Sequence, residues 1–172
     1  MKKVLSFLFA TMLAGQAWAD IHFDFSAVSS SGQTLYYKII NDTVLPYTAM
    51  VTYPQFSSSN DNLHFNVYYG YNKPTGELEI PETVENNGKA YMVTSIGDYA
   101  FYGCTELMSV NIPNSITYID YSAFGYCSKL ASITIPNTIT GFADWAFMGC
   151  VSLKSLNIPN SVTYIGNHTF DG

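Results

Sequence analysis

Cys104, Cys127 and Cys150 are the residues whose type and spacing most invite a chemical reading. In an exported chain such a set suggests a disulfide or a metal ligand group. Both intervals are 23 residues and no Cys-x-x-Cys pair occurs, so the spacing belongs to a repeat rather than to a chelate. A column of buried free thiols, acting as small apolar fillers, accounts for it most simply. Stacked coils could bring neighbouring Cα atoms into disulfide range, roughly 4.4–6.8 Å, but side chains pointing the same way rarely meet the required dihedral.

His168, in the column of Tyr99, Ser122 and Trp145, belongs to the coil after Cys150, and a Cys–His dyad is conceivable. A catalytic thiol needs an accessible, electropositive setting, and this cysteine column is apolar on both sides, which favours an exposed loop histidine instead. His22 and His64 have no acidic or nucleophilic partner at useful spacing. Asp98, Asp144 and Asn167 share a column that could suggest calcium, but Tyr121 interrupts it and the Asp-rich nonapeptide of calcium-binding solenoids is missing. Asn41-Asp42-Thr43 and Asn167-His168-Thr169 fit the glycosylation sequon, a weak signal here. No catalytic constellation, cofactor motif or metal site emerges.

The elements that position these residues are written as one pattern of 23 residues. It runs through 96–118, 119–141 and 142–164 and begins again at 165–172. The columns of Ala100, Phe101, Cys104, Leu107, Ser109, Ile112, Pro113, Asn114 and Thr117 are identical in all three complete copies. A fixed period of this length implies stacked supersecondary units. Around Ser109-Val110-Asn111-Ile112 the apolar period is two, predicting a short strand with Val110 and Ile112 inward and Ser109 and Asn111 outward. Pro113 ends it, having no N–H for a ladder. The stretch from Gly97 to Gly103 reads as a tight helical or 3₁₀ turn. One coil cannot bury Phe101, Leu107, Val110 and Ile112, whereas stacked coils place Phe101, Phe124, Phe147 and Phe170 in one buried column. Leu107, Leu130 and Leu153 make another. The Asn114, Asn137 and Asn160 column predicts an amide ladder serving the turns.

The run Leu-x-x-apolar-x-Ile-Pro-Asn-Ser-apolar-Thr-x-Ile-Gly-x-x-Ala-Phe-x-x-Cys, read across the joins, resembles the repeat of the BspA-like leucine-rich repeat surface proteins. The likeness covers 96–172 closely, and Leu78-Glu79-Ile80-Pro81 matches the strand and proline of an earlier, irregular copy. Phe142-Ala143 departs from the pattern's Ile-Gly. The stretch from Asp24 to Tyr37 also resembles the entry segment preceding such repeats. The resemblance implies a recognition role, adhesion to host or bacterial proteins, on a leucine-rich-repeat solenoid.

Two surfaces of the array could bind. Ser109 and Asn111, Ser132 and Thr134, Ser155 and Asn157 form rows of small hydrogen-bonding groups on the strand face. Tyr121 and Trp145, with Tyr99, Tyr118, Tyr126 and Tyr164, ring the loops, and rigid aromatic side chains are common anchors of interfaces. A soluble face that deters aggregation is the plainer reading of the strand rows.

The expected fold is mainly β, a leucine-rich-repeat solenoid with short helical turns behind a β-rich N-terminal cap. Residues 1–19 read as a signal peptide, with Lys2 and Lys3 before an apolar run and Ala17-Trp18-Ala19 ahead of cleavage near Asp20. The cap spans 20–75, with strands at 33–40, 48–53 and 63–71 and a loop at 57–62. The solenoid spans 76–172. Pro81 and Ile96 are fifteen residues apart where later copies have six, and Asn86-Asn87-Gly88 within that insertion predicts a hairpin. The net charge is −6, and −8 without the two leader lysines, with no arginine. Such a chain has no footprint for nucleic acid or anionic lipid, and no membrane span remains after cleavage. The fourth copy stops at Gly172, before its cysteine column, so the array is expected to continue. The expected partner is a protein, host extracellular matrix or another bacterial surface protein. The alternative is a spacer or stalk for a further domain.

Overall fold

A computed structural model of the chain describes residues 22–54, 57–58, 65–68 and 70–172. The expected leader, residues 59–62 of the expected loop, and His64 lie outside the described residues. In chain order the strands are β1 (Phe25–Val28), β2 (Thr34–Asn41), β3 (Thr48–Thr52), β4 (Ser57–Ser58), β5 (Phe65–Asn66), β6 (Gly76–Glu79), β7 (Thr83–Asn86) and β8 (Lys89–Ile96). In the repeats they are β9 (Leu107–Asn111), β10 (Tyr118–Ile119), β11 (Ser132–Thr134), β12 (Gly141–Phe142) and β13 (Tyr164–Ile165). No helix occurs among the described residues.

The aromatic and β-branched text of the N-terminal part folds as an antiparallel meander, β1 on β2 and β2 on β3. Leu35, Tyr37, Ala49 and Val51 are buried in it. Asn41 shapes the β2–β3 connection: its Nδ2 donates to the carbonyls of Val44 and Pro46, while its Oδ1 accepts from the Thr43 amide. The expected hairpin is present as β7 against β8. Asn87 and Gly88 have φ of 50° and 78°, the left-handed pair that a two-residue hairpin turn demands.

The chain then winds in coils that stack in parallel. The pairings Ile96↔Ile119, Ile119↔Phe142 and Phe142↔Ile165 build one sheet, and β9 pairs with β6 on one side and β11 on the other to build a second. The first sheet reaches back into the meander, because β3 pairs in parallel with β8 and sets Val51 beside Ile96. The Gly97 amide donates to Val51 just as Asp120 donates to Ile96, Ala143 to Ile119 and Gly166 to Phe142.

Between the two sheets each coil closes as a chain of tight turns. Within the first, Ala100 donates to Gly97, Tyr102 to Tyr99 and Cys104 to Phe101; the intervening amides of Tyr99, Phe101 and Gly103 donate to Tyr121, Ala123 and Gly125 of the next coil. Alternate N–H groups thus close the turn and grip the neighbour. This is why the helical turn expected here is not a helix: Tyr99 is left-handed at φ 54°, as are Ser122, Trp145 and His168 of the same column, and a right-handed helix cannot pass through such a residue.

The apolar columns form as expected up to the last coil, where Phe170 is 42% exposed and Leu153 half-buried. Phe101, Phe124, Phe147 and Phe170 stack with centroids 5.0, 5.3 and 5.6 Å apart and rings within 16° of parallel. Val110 and Ile112 point inward and are buried. The polar ladder is a correction. Asn114, Asn137 and Asn160 are exposed, and the hydroxyls of Thr117, Thr140 and Thr163 instead donate to the carbonyls of Thr94, Thr117 and Thr140, 23 residues back. Asp98 and Asp144 also act between coils, their carboxylates accepting from the amides of Tyr121 and Asn167.

Candidate functional site

The cysteines are free, buried and aimed at backbone. Cys127 Sγ lies 3.1 Å from the Phe101 carbonyl, and Cys150 Sγ the same distance from that of Phe124. Burial pushes the Cys104 thiol up to about 12 and Cys150 to about 11, and raises Cys127 well above the ordinary thiol range. A thiol held protonated and enclosed is not a nucleophile at neutral pH. His168 does not face Cys150. Its Nδ1 pairs with Asp171 Oδ2 at 2.6 Å on the exposed surface. Among the described residues no group of His, Cys, Asp and Glu could hold a metal ion.

The strand rows come together in part. Ser109 lies beside Ser132, and Asn111 beside Thr134, in the β9–β11 ladder. Ser132, Thr134 and Asn111 are exposed and Ser109 half-buried. Ser155 and Asn157 are exposed too, but residues 153–159 form no strand. Ile158, 39% exposed, lacks the burial that seats Ile112 at 3%, and among the described residues no further coil covers this segment. The sequence reading missed the row's other end, where Glu77 and Glu79 stand beside Ser109 and Asn111. Ser30 donates to the Glu79 carboxylate, and Gln33 Nε2 to the Glu77 carbonyl. The face therefore runs from acidic to neutral and offers no aromatic anchor.

The loop aromatics, by contrast, converge. On the turn side, rings follow one another across the coils from Tyr99 to Tyr121 (5.4 Å between centroids), to Trp145 (5.1 Å) and to His168 (5.8 Å). A second row, Tyr102 to Tyr126 at 5.4 Å, joins the first through Tyr99–Tyr102 at 5.5 Å. The Tyr–Tyr and Tyr–Trp contacts are edge-to-face, with interplanar angles of 67–80°. Between the rows runs a groove of about 420 Å3 whose lining adds Ser122, Met148 and Asp171. Tyr118 and Tyr164 are not part of that lining.

Local sequence explains the positions. The left-handed backbone at Tyr99 and Trp145 throws both side chains off the coil on the same side. In the coil between them that column is Ser122, buried at 5% exposure, and Tyr121 from the adjacent column fills the gap. Small residues make room for the second row. A Cβ on Gly125 would stand 2.9 Å from the Tyr102 ring, and one on Gly149 2.8 Å from the Tyr126 ring. Tyr126 itself is left-handed and 44% exposed. Burial, with neighbouring phenols adding, pushes the Tyr99 hydroxyl up to about 12 and raises Tyr102, so these phenols are neutral.

The groove's serine, histidine and aspartate are not assembled as a triad. Ser122, His168 and Asp171 all line the groove, yet serine and histidine stand in the same column two coils apart with Trp145 between them. A hydrogen-bonded triad needs contact distances.

A larger concavity, about 510 Å3, lies between Gln33 and Lys73 and contains no aromatic residue.

Comparison with known proteins places the chain. A family model described as BspA type leucine-rich repeat region matches residues 38–172 in six copies. Among solved structures, a leucine-rich repeat protein from Bacteroides ovatus is 30% identical with a TM-score of 0.62, over 80% of this chain and 31% of that one. The leucine-rich repeat protein of T. pallidum is 26% identical, TM-score 0.56, over 77% of this chain and 50% of that one. A leucine-rich repeat protein from Bacteroides capillosus is 26% identical, TM-score 0.58, over 78% and 88% of the two chains. The chain thus spans less than two thirds of the length of the first two. No curated protein matches it.

Proposed function

The chain belongs to the BspA-type leucine-rich repeat family, and from that premise we propose that it is an exported recognition protein, secreted or held at the cell surface, which binds a protein partner through the aromatic groove. Repeats of this kind are protein-binding scaffolds, and adhesion to a host extracellular-matrix protein or another bacterial surface protein is the role this reading assigns. The leader-like first nineteen residues support export. No helix among the described residues is long and apolar enough to cross a membrane. The net charge of −6 argues against nucleic acid as the partner.

The observation that carries the reading is the row Tyr99, Tyr121 and Trp145, three rings a little over 5 Å apart on a rigid coil side. Such residues supply large contact area at small entropic cost, and they concentrate binding energy in interfaces. The strand rows give less, since a serine or asparagine hydrogen bond yields only about 0.5–1.5 kcal/mol net once water is displaced. In this reading Ser109, Asn111, Ser132, Thr134, Ser155 and Asn157 play a secondary part.

The test is a binding screen. The chain from Asp20 onward is immobilised and exposed to extracellular-matrix and bacterial surface proteins, and each hit is repeated with Trp145→Ala and Tyr121→Ala. Saturable binding that both variants weaken by about tenfold or more, with circular dichroism unchanged, supports recognition. If no partner saturates, or binding ignores both substitutions and changes at Asn111 and Thr134, the stalk reading takes its place.

A further inference from the structure

Resting on that recognition reading, we infer that the groove takes a proline-rich segment in the polyproline II conformation, flanked by a basic residue and laid along Tyr99, Tyr121 and Trp145.

Spacing is the first argument. The steps from Tyr99 to Tyr121 and from Tyr121 to Trp145 are 5.4 and 5.1 Å. Two such steps come close to one turn of a polyproline II helix, three residues at about 3.1 Å each. The three rings therefore lie along about one turn of such a ligand.

Hydrogen bonding is the second. The Trp145 indole N–H and the Tyr126 hydroxyl make no hydrogen bond to the described residues, and both side chains belong to the groove's lining. They supply donors, while Asp171 is the single carboxylate in the lining. A polyproline II segment has no internal hydrogen bonds, so its carbonyls need donors. An α-helix satisfies its own carbonyls and would leave these groups dry. An oligosaccharide can use the lining's hydroxyls as donors and acceptors, but a neutral sugar does not complement the exposed Asp171 carboxylate.

Charge sets the flank. Asp171 stands at the groove's end, paired with His168 at 2.6 Å and still largely exposed, and no lysine lines the groove. A lysine or arginine beside the proline run complements that carboxylate and the chain's net negative charge. Because the ligand is preformed and the rings already pack edge-to-face on one another, little ordering entropy opposes binding.

The test uses the chain from Asp20 onward, in which Trp145 is the sole tryptophan. Peptides of about ten prolines, carrying two lysines at either end, are titrated against Trp145 fluorescence and by calorimetry. Expected is saturable binding at micromolar concentration. A glycine–serine peptide with the same lysines binds at least about tenfold more weakly, and glutamate-ended polyproline binds more weakly than the lysine-ended form. Trp145→Ala loses about tenfold or more by calorimetry, and Tyr126→Phe, which removes one donor and little volume, loses about threefold; Ser132→Ala changes nothing. The inference is overturned if polyproline does not saturate, if the glycine–serine peptide binds equally well, or if Tyr126→Phe and a folded Trp145→Ala keep full affinity. A matrix or surface protein captured through the groove with no response to polyproline overturns this inference and leaves the recognition reading standing. Failure of the protein screen as well removes both.

Discussion

The ring of Tyr126 rests on the bare backbone of Gly149: a methyl group there would stand 2.8 Å from Tyr126 Cδ1, closer than carbon atoms approach. Gly149 is also left-handed, at φ 71°. Gly149→Ala therefore meets two penalties, a backbone conformation costing about 1 kcal/mol or more for alanine and a displaced ring. The expected loss is about 2 kcal/mol by denaturant unfolding. Adding Tyr126→Ala removes the clash and leaves the backbone cost, so a double-mutant cycle should show the two changes to be non-additive. Additive losses would mean that the ring does not sit where the groove requires it.

The phenylalanine column separates inside from outside. Phe124 stacks between Phe101 and Phe147 and is fully buried, so Phe124→Ala should cost roughly 3–5 kcal/mol. Ser132→Ala, on the exposed strand row, should change stability by less than about 0.5 kcal/mol. Equal denaturation midpoints for the two variants would contradict the assignment of faces.

Thiol chemistry follows from enclosure. Native protein should react slowly with a thiol reagent, and unfolded, unreduced protein should yield three thiols per chain. Fewer than three would reveal a disulfide.

Alkaline pH should weaken the fold. Burial raises all three thiols, Cys104 to about 12 and Cys150 to about 11. The folded chain keeps protons that the unfolded chain releases. The stabilisation is complete below the unfolded thiol range, near 8.5, and is lost as pH rises from there through the folded values. Denaturation midpoints measured from about pH 7 to 10.5 should fall, and Cys127→Ala should flatten the slope. Midpoints independent of pH would show that the thiols are reached by water.

Trp145 has φ 60°, where glycine is at ease and alanine is not. Trp145→Gly should therefore unfold at a denaturant concentration equal to or higher than Trp145→Ala does. The reverse order would indicate that the turn relaxes to a right-handed backbone once the indole is gone.

The sequence was most legible where one residue type keeps one column. Phe101, Phe124 and Phe147 and the inward Val110 and Ile112 could be read because burial tolerates little variation. The groove was harder. Tyr121 and Trp145 stood out as loop aromatics, but Ser122 occupies the aromatic column of its coil, and only the folded backbone shows Tyr121 leaning across to fill it. Between the asparagine and threonine columns, both fixed in sequence, reach decided: the short threonine hydroxyl sits beside the neighbouring coil's carbonyl, whereas the asparagine side chains face water. The place of Val51 next to Ile96 was hidden because 45 residues separate them instead of 23. Ser155 and Asn157 match their column by type alone, yet residues 153–159 form no strand.

The turn amides of Tyr99, Phe101 and Gly103 point toward the following coil, whereas those of Gly97, Thr117 and Asp120 point toward the preceding one. An α-helix adds its peptide dipoles head to tail and builds partial charge at both ends. Here the two rows oppose, so lengthening the array builds up little field along its axis. Copies can therefore be gained or lost without building an axial dipole.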